Sequence, residues 1–250
     1  MARILRSIAL SGVAASLAAH PASAQLYNMP VHFSPNFGTG VALYGDIGVG
    51  LSEGAELVPG ETPWAGGGRV RVGTPILQFM AGAAYVEPNA PDSIGFKGSV
   101  SLGASAALTL FRSATSFFAL SLQGGAGYVS FSDIEAKYLD VPVGIGVALN
   151  APAPSVSVEP WLGVRLHVRH SAVGAGSPLL SGGLTPDAFG TQLGFGLSGG
   201  ITLGLPSGLG VWSALDWMTI KPYAGAAERV SPFLLGGGLL WRFRVPSLGP

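Results

Sequence analysis

From Ala188 to Leu215 the chain runs 28 residues without a charged side chain, yet eight of those residues are glycine and one is Pro206. A stretch so long and uncharged invites a membrane-spanning helix. Relative to alanine, glycine costs a helix ~1 kcal/mol and proline ~3, so a helix here is opposed by about 11 kcal/mol. The order of the residues points elsewhere. Leu193, Phe195, Leu197, Ile201 and Leu203 alternate with Gln192, Gly194, Gly196, Ser198, Gly200 and Thr202. Period two, with one apolar face and one small or polar face, is the pattern of a strand standing between lipid and a lumen. Inside lipid only helices and closed barrels satisfy every backbone polar group, so the alternative to the helix is a closed barrel.

The same alternation recurs along the chain. It predicts strands near 41–51, 64–73, 76–86, 96–111, 116–130, 138–149, 155–168, 191–203, 209–218 and 230–243, each long enough for the ~9–11 residues of a tilted membrane strand. In the clearest, Phe96, Val100, Leu102, Ala104, Ala106, Leu108 and Leu110 share one face, and Lys97, Ser99, Ser101, Ser105 and Thr109 share the other. The connections alternate long (52–63, 87–95, 131–137, 169–190, 219–229) and short (74–75, 112–115, 150–154, 204–208). Outer-membrane barrels have short periplasmic turns and longer external loops. The expected fold is therefore all-β, an antiparallel up-and-down transmembrane β-barrel of ten strands, with eight or twelve if a hairpin has been split or merged. The first strand runs outward, and both ends of the chain fall in the periplasm.

Composition fits lipid as the solvent. Only 10% of the residues are charged, against ~25% in an average soluble domain, and the mean hydropathy is +0.47. The chain has no cysteine, which excludes disulfides and thiolate metal sites. Net charge is zero and no basic face exists, so no nucleic-acid partner is expected. Arg3 and Arg6, an apolar run from Ile8 to Ala19 and the small residues Ala22-Ser23-Ala24 have the layout of a secretory signal peptide, residues 1–24. Residues 25–40 then read as an irregular periplasmic lead-in, 41–243 as the barrel and 244–250 as a tail.

These features together resemble the outer-membrane β-barrel superfamily of Gram-negative-type bacteria. The resemblance rests on the signal peptide, on Gly-rich alternating strands such as Val141-Pro142-Val143-Gly144-Ile145-Gly146-Val147, and on the aromatic last strand Leu239-Leu240-Trp241-Arg242-Phe243. It covers nearly the whole mature chain as a pattern rather than a motif. It implies an outer-membrane location, lipid and lipopolysaccharide as surroundings, the barrel-assembly machinery as a partner, and a monomer. Barrels of this kind usually end on an aromatic residue read during assembly, so Trp241 and Phe243 are expected to serve from within the chain. Trp64, Tyr85, Phe96, Tyr128 and Trp217 at outer strand ends, and Phe118, Trp241 and Phe243 at inner ends, would form two aromatic girdles.

Parity places a charge network in the lumen: Asp46, Arg69, Arg71, Lys97, Asp140, Glu159, Arg165, Asp216 and Arg242. Trp161 and Trp212 point inward as aromatic plugs. A tight turn that sets Asn150 against Ser155 puts Asp140 opposite Arg165, and Trp161 over Gly144 and Gly146. Trp212 is expected to face Gly200, and Asp46 to face Arg69. Chemistry is not expected. His167 and His170 lie near Ser171, and the segment distantly resembles the His-x-Ser-Asn region of lipid A deacylases, but His170 and Ser171 are adjacent and no Asn follows. The outer-end acids Glu53, Glu56, Glu87, Asp92, Asp133 and Glu135 make no Asp-x-His spacing of the kind expected in a barrel protease. No cofactor and no metal are expected. The reading is a non-enzymatic structural barrel or narrow, constricted pore. The alternatives are an adhesin or receptor acting through its external loops and, below that, a rim-located lipid-acting hydrolase.

Overall fold

The computed structural model describes residues 33–35, 37–52, 62–89, 97–115, 117–152, 155–181, 189–221 and 229–243. The signal segment, residues 25–32 of the lead-in, Phe96, Glu53, Glu56, Asp92 and the 244–250 tail lie outside the described residues. Ten long strands form the wall: β1 Gly40–Gly50, β2 Trp64–Gly73, β3 Leu77–Glu87, β4 Ser99–Arg112, β5 Phe118–Phe131, β6 Ala136–Leu149, β8 Ser157–Val173, β9 Thr191–Gly204, β10 Leu209–Thr219 and β11 Phe233–Phe243. A two-residue strand, β7 Ala151–Pro152, pairs only with the start of β8, while β6 pairs directly with β8. Every pairing is antiparallel between neighbours in the chain, and β1 pairs with β11 from Val41↔Phe243 to Gly50↔Leu234. The sheet is thus closed and presents no free edge.

Alternation does what the sequence demands of it. Along β8, Glu159, Trp161, Gly163, Arg165, His167, Arg169 and Ser171 are buried inside, while Pro160, Leu162, Val164, Leu166 and His170 are exposed outside. On β4, Leu102 is 55% exposed and its neighbour Ser101 only 1%. The outer wall is a band of exposed Leu, Val, Ile and Phe, with aromatic residues towards both rims. Trp64 lies 6.2 Å from Tyr85 at the long-loop end, and Trp241 lies 4.2 Å from Phe243 at the short-turn end.

Four departures from the sequence reading matter for the interior. The connection expected to be long at 131–137 is a tight one, a single 3-10 turn over Ser132–Ile134 followed by left-handed Glu135. β8 runs on to Val173 rather than stopping at 168. The β6–β8 hairpin continues through Ala151–Pro152, so its register is shifted by four residues: Asp140 faces Arg169, Gly144 faces Arg165, and Trp161 faces Ala148. Lastly, the lead-in does not stay outside the wall. Phe33, Ser34, Pro35 and Phe37 are buried at the short-turn end.

Candidate functional site in the lumen

The lumen is filled in three layers. Nearest the long loops, Asp140 on β6 faces Arg169 on β8, and its Oδ1 accepts from Arg169 Nε at 3.3 Å and from the His167 ring through a short contact. All three are 0% exposed. Tyr138 and Ser171 flank them, and Tyr138 packs edge-on against Phe131.

The middle layer depends on bare backbone. Arg165 faces Gly144 on one side and Gly196 on the other. A Cβ on Gly196 would sit 2.6 Å from Arg165 Cζ. The guanidinium therefore lies flat across β9 and reaches Asp216 on β10, with Nη1 2.7 Å from Oδ1 and Nη2 donating to Oδ2 at 2.8 Å. Ser198 completes the group by donating to Asp216 Oδ1 at 2.6 Å. Trp212 repeats the device. It crosses β11 above Gly238, where a Cβ would approach its Nε1 to 3.0 Å, and donates to Asp46 Oδ1 on β1 at 2.9 Å. Asp46 also holds Arg69, whose Nη2 donates to Oδ1 at 2.9 Å. Asp46 faces Gly67 and Arg69 faces Tyr44 in register, so this pair forms diagonally. A Cβ on Gly200 would meet Trp161 Cζ2 at 2.8 Å, which makes Gly200 the socket of Trp161 rather than of Trp212. Glycine in a strand commonly marks such close approach.

The layer at the short-turn end is built around Arg71, 1% exposed. Its guanidinium lies between two phenyl rings, 4.4 Å from the centroid of Phe33 and 4.3 Å from that of Phe37. Arg71 Nη2 donates to the carbonyl of Ser34 at 2.8 Å and, through a short contact, to Gln78. Gln78 Nε2 donates to the carbonyl of Pro35 at 3.1 Å, Gln123 Nε2 to that of Phe33 at 3.0 Å, and Arg112 Nη2 to that of Phe37 at 2.9 Å. Phe33 also packs on Met80 and Ala107. Glu159 is buried nearby, with Arg242 Nη1 3.8 Å away. Between the lead-in and the tryptophans lies a void of about 20 Å³, lined by Phe33, Ser34, Tyr44, Arg71, Trp161 and Trp212 among others. A water needs ~10–15 Å³ on that measure, so the void has room for about one.

Of the residues expected in the lumen, Asp46, Arg69, Arg71, Asp140, Glu159, Arg165, Asp216, Trp161 and Trp212 are buried there and Arg242 is half-buried at the mouth. Lys97 is not among them. It precedes β4 by two residues, is exposed, and its backbone N–H meets Asp133 at 3.3 Å, because strand parity does not reach a residue outside the strand. Arg165 pairs with Asp216 and not with Asp140, since the shifted hairpin gives Asp140 to Arg169. Three ionisable groups escaped the sequence reading. His167 and Arg169 continue the parity of Arg165, a signal that was present. Arg112 turns inward because a bulge between Thr109 and Phe111 shifts the register of β4, and alternation alone does not show that. His170 and Ser171 lie on opposite sides of the wall. His170 meets Thr191 Oγ1 at 3.1 Å, and Ser171 Oγ lies 3.4 Å from the Gly190 carbonyl.

No family model matches the chain, and no curated protein matches it. Among solved structures, the β domain of the Bordetella autotransporter BrkA is 10% identical, with a TM-score of 0.46 over 82% of this chain and 99% of that one. Neisserial surface protein A is 13% identical, with a TM-score of 0.39 over 82% of this chain and 98% of its own. A bacterial polysaccharide outer-membrane secretin is 12% identical, with a TM-score of 0.43 over 73% of this chain, which spans 57% of its length. At these identities none of them passes a site residue to this chain.

Proposed function

We propose that the protein is an outer-membrane β-barrel whose lumen is closed to free diffusion, a structural barrel or a pore that conducts only when its interior rearranges. The apolar outer band and the two aromatic rims suit a bilayer, and the longer loops would then face the cell exterior. One copy completes the wall, which favours a monomer. The observation that carries the closed lumen is the stack of three side-chain layers, with a void of about 20 Å³ left between the lead-in and the tryptophans. Ten strands lie close to the eight-stranded case, in which side chains just fill the interior. Exposed Lys137, His170 and Arg229 sit near the long-loop rim, where phosphates of outer-leaflet lipid would lie. We read the role as non-enzymatic, because His170 and Ser171 face opposite sides of the wall and no nucleophile is hydrogen-bonded to the Asp140–His167 pair among the described residues. The test is conductance of the purified full chain in planar bilayers. Little or no current is expected, and steady current of general-porin size would overturn the closed lumen.

A further inference from the structure

Phe33, Ser34, Pro35 and Phe37 are held in a way that differs from the rest of the barrel. Strands are joined by main-chain ladders. Among the described residues, Phe33, Ser34, Pro35 and Phe37 meet the wall through main-chain groups addressed by wall side chains, through phenyl rings against Arg71, Met80 and Ala107, and through the Ser34 side chain, which bonds Glu159. Four carbonyls each accept from a different wall side chain: Phe33 from Gln123, Ser34 from Arg71, Pro35 from Gln78 and Phe37 from Arg112. The donors come from β2, β3, β4 and β5, one side of the lumen. Wall amides and guanidinium groups that address main-chain carbonyls, with a cation against two aromatic rings, are contacts that can hold a peptide independently of most of its sequence. The segment leaves the lumen beside an open recess of about 840 Å³ at the short-turn mouth, lined by Phe37, Gly38, Thr39, Pro206, Arg242 and Phe243 among others.

We propose that the inner half of the lumen is a peptide-binding site and that Phe33–Pro35 and Phe37 are the described part of its resident, exchangeable ligand. The ligand class is a short peptide with two aromatic side chains four residues apart and main-chain carbonyls outside any strand ladder, turned as the resident segment is where Phe37 N–H donates to the Pro35 carbonyl at 3.0 Å. Buried donors that lose such a ligand are left unsatisfied, so the site favours occupancy and a peptide of the same pattern can replace the resident one. Nothing in this binding requires the barrel to be closed to ions, so the proposal stands or falls apart from the conductance of the wild type.

The test uses the full chain. A protease site is inserted between Gly38 and Thr39, both exposed, and is cut only after the barrel has folded in detergent, so assembly precedes any loss of the segment. The fragment carries a fluorophore and its retention is followed by gel filtration. We expect it to stay bound after cutting and to be displaced by a synthetic peptide covering residues 31–39. The same peptide with Phe33→Ala and Phe37→Ala should need at least about tenfold more, the factor that corresponds to ~1.4 kcal/mol of lost ring contacts. Immediate loss of the fragment on cutting would show that no site holds it. Retention against every peptide would make it a fixed part of the wall. Equal displacement by the alanine peptide would remove the aromatic recognition. A rise in conductance once the fragment has gone would add that the ligand also closes the barrel, whereas unchanged conductance with specific displacement leaves the peptide site intact and places the closure in the other two layers.

Discussion

Arg169 and Arg71 are both buried guanidinium groups, at 0% and 1% exposure, and they are stabilised in opposite ways. Arg169 faces a carboxylate fixed on the adjoining strand, Asp140, and the pair exists wherever β6 and β8 are zipped together. Arg71 has no carboxylate among its hydrogen-bond partners. Its charge is dispersed over a carbonyl, an amide, the Tyr44 hydroxyl at 3.4 Å and two phenyl rings, and the carbonyl and both rings belong to a segment outside the wall. The long-loop layer is therefore closed by the wall itself. The short-turn layer is closed by a tenant. The satisfaction of polar groups differs too. Arg169 Nη1 and Nη2, His167 Nδ1 and Asp140 Oδ2 find no partner among the described residues, whereas Arg71 lacks one only at Nε. Buried groups of that kind are commonly met by ordered water.

The largest test of the contrast is Asp140→Ala. It strands Arg169, and removing one member of a buried pair costs ~3–5 kcal/mol. The midpoint of urea unfolding, read from the mobility shift of unheated barrel on gels, should fall accordingly, and Asp140→Leu combined with Arg169→Met should recover most of the loss. If the double variant is as unstable as the single, the two residues do not act as a pair.

A smaller effect is expected at the crossing point of the middle layer. Gly196→Ala places a methyl against Arg165 and should cost ~1–3 kcal/mol through overpacking. The same midpoint measures it. An unchanged midpoint would mean that Arg165 leaves Asp216 without penalty, and the middle layer would then resemble the tenant layer rather than the wall.

The smallest change in barrel stability is expected at Arg71→Lys. An ammonium keeps the charge but loses the planar face that two rings clasp. Unfolding should shift by less than ~1 kcal/mol, within the range of a cation–π contact, while amide exchange or protease cutting within 33–39 should speed up several-fold. A loss as great as that of Asp140→Ala would show that the lead-in is part of the wall.

The wall was legible in the sequence because its outer face and its lumen ask opposite chemistry of adjacent residues, and Leu102 and Ser101 could hardly be assigned otherwise. The partners within the lumen were far less so. Pro152 and Pro154 look like turn residues, yet the ladder passes through Pro152, and that extension alone moves Arg165 away from Asp140. A side chain that lies over a glycine of the next strand bonds two strands away, as Arg165 does with Asp216, so adjacency in the sheet does not name its partner. The lead-in carries no periodic pattern, and nothing in Phe33-Ser34-Pro35-Asn36-Phe37 by itself says inside or outside. Its place is set by donors on four neighbouring strands, β2 to β5, which the sheet brings together and the sequence of the segment does not name.

Asp46 has a consequence in time. Its carboxylate joins Arg69 on β2, its neighbour in the chain, to Trp212 on β10, which lies beyond the β1–β11 junction. The first bond can form as soon as the first hairpin exists. The second has to wait until the two ends of the sheet meet. Asp46 is thus a two-stage latch, half set early and completed only by closure, and the indole of Trp212 is a built-in reporter of the moment at which the cylinder becomes complete.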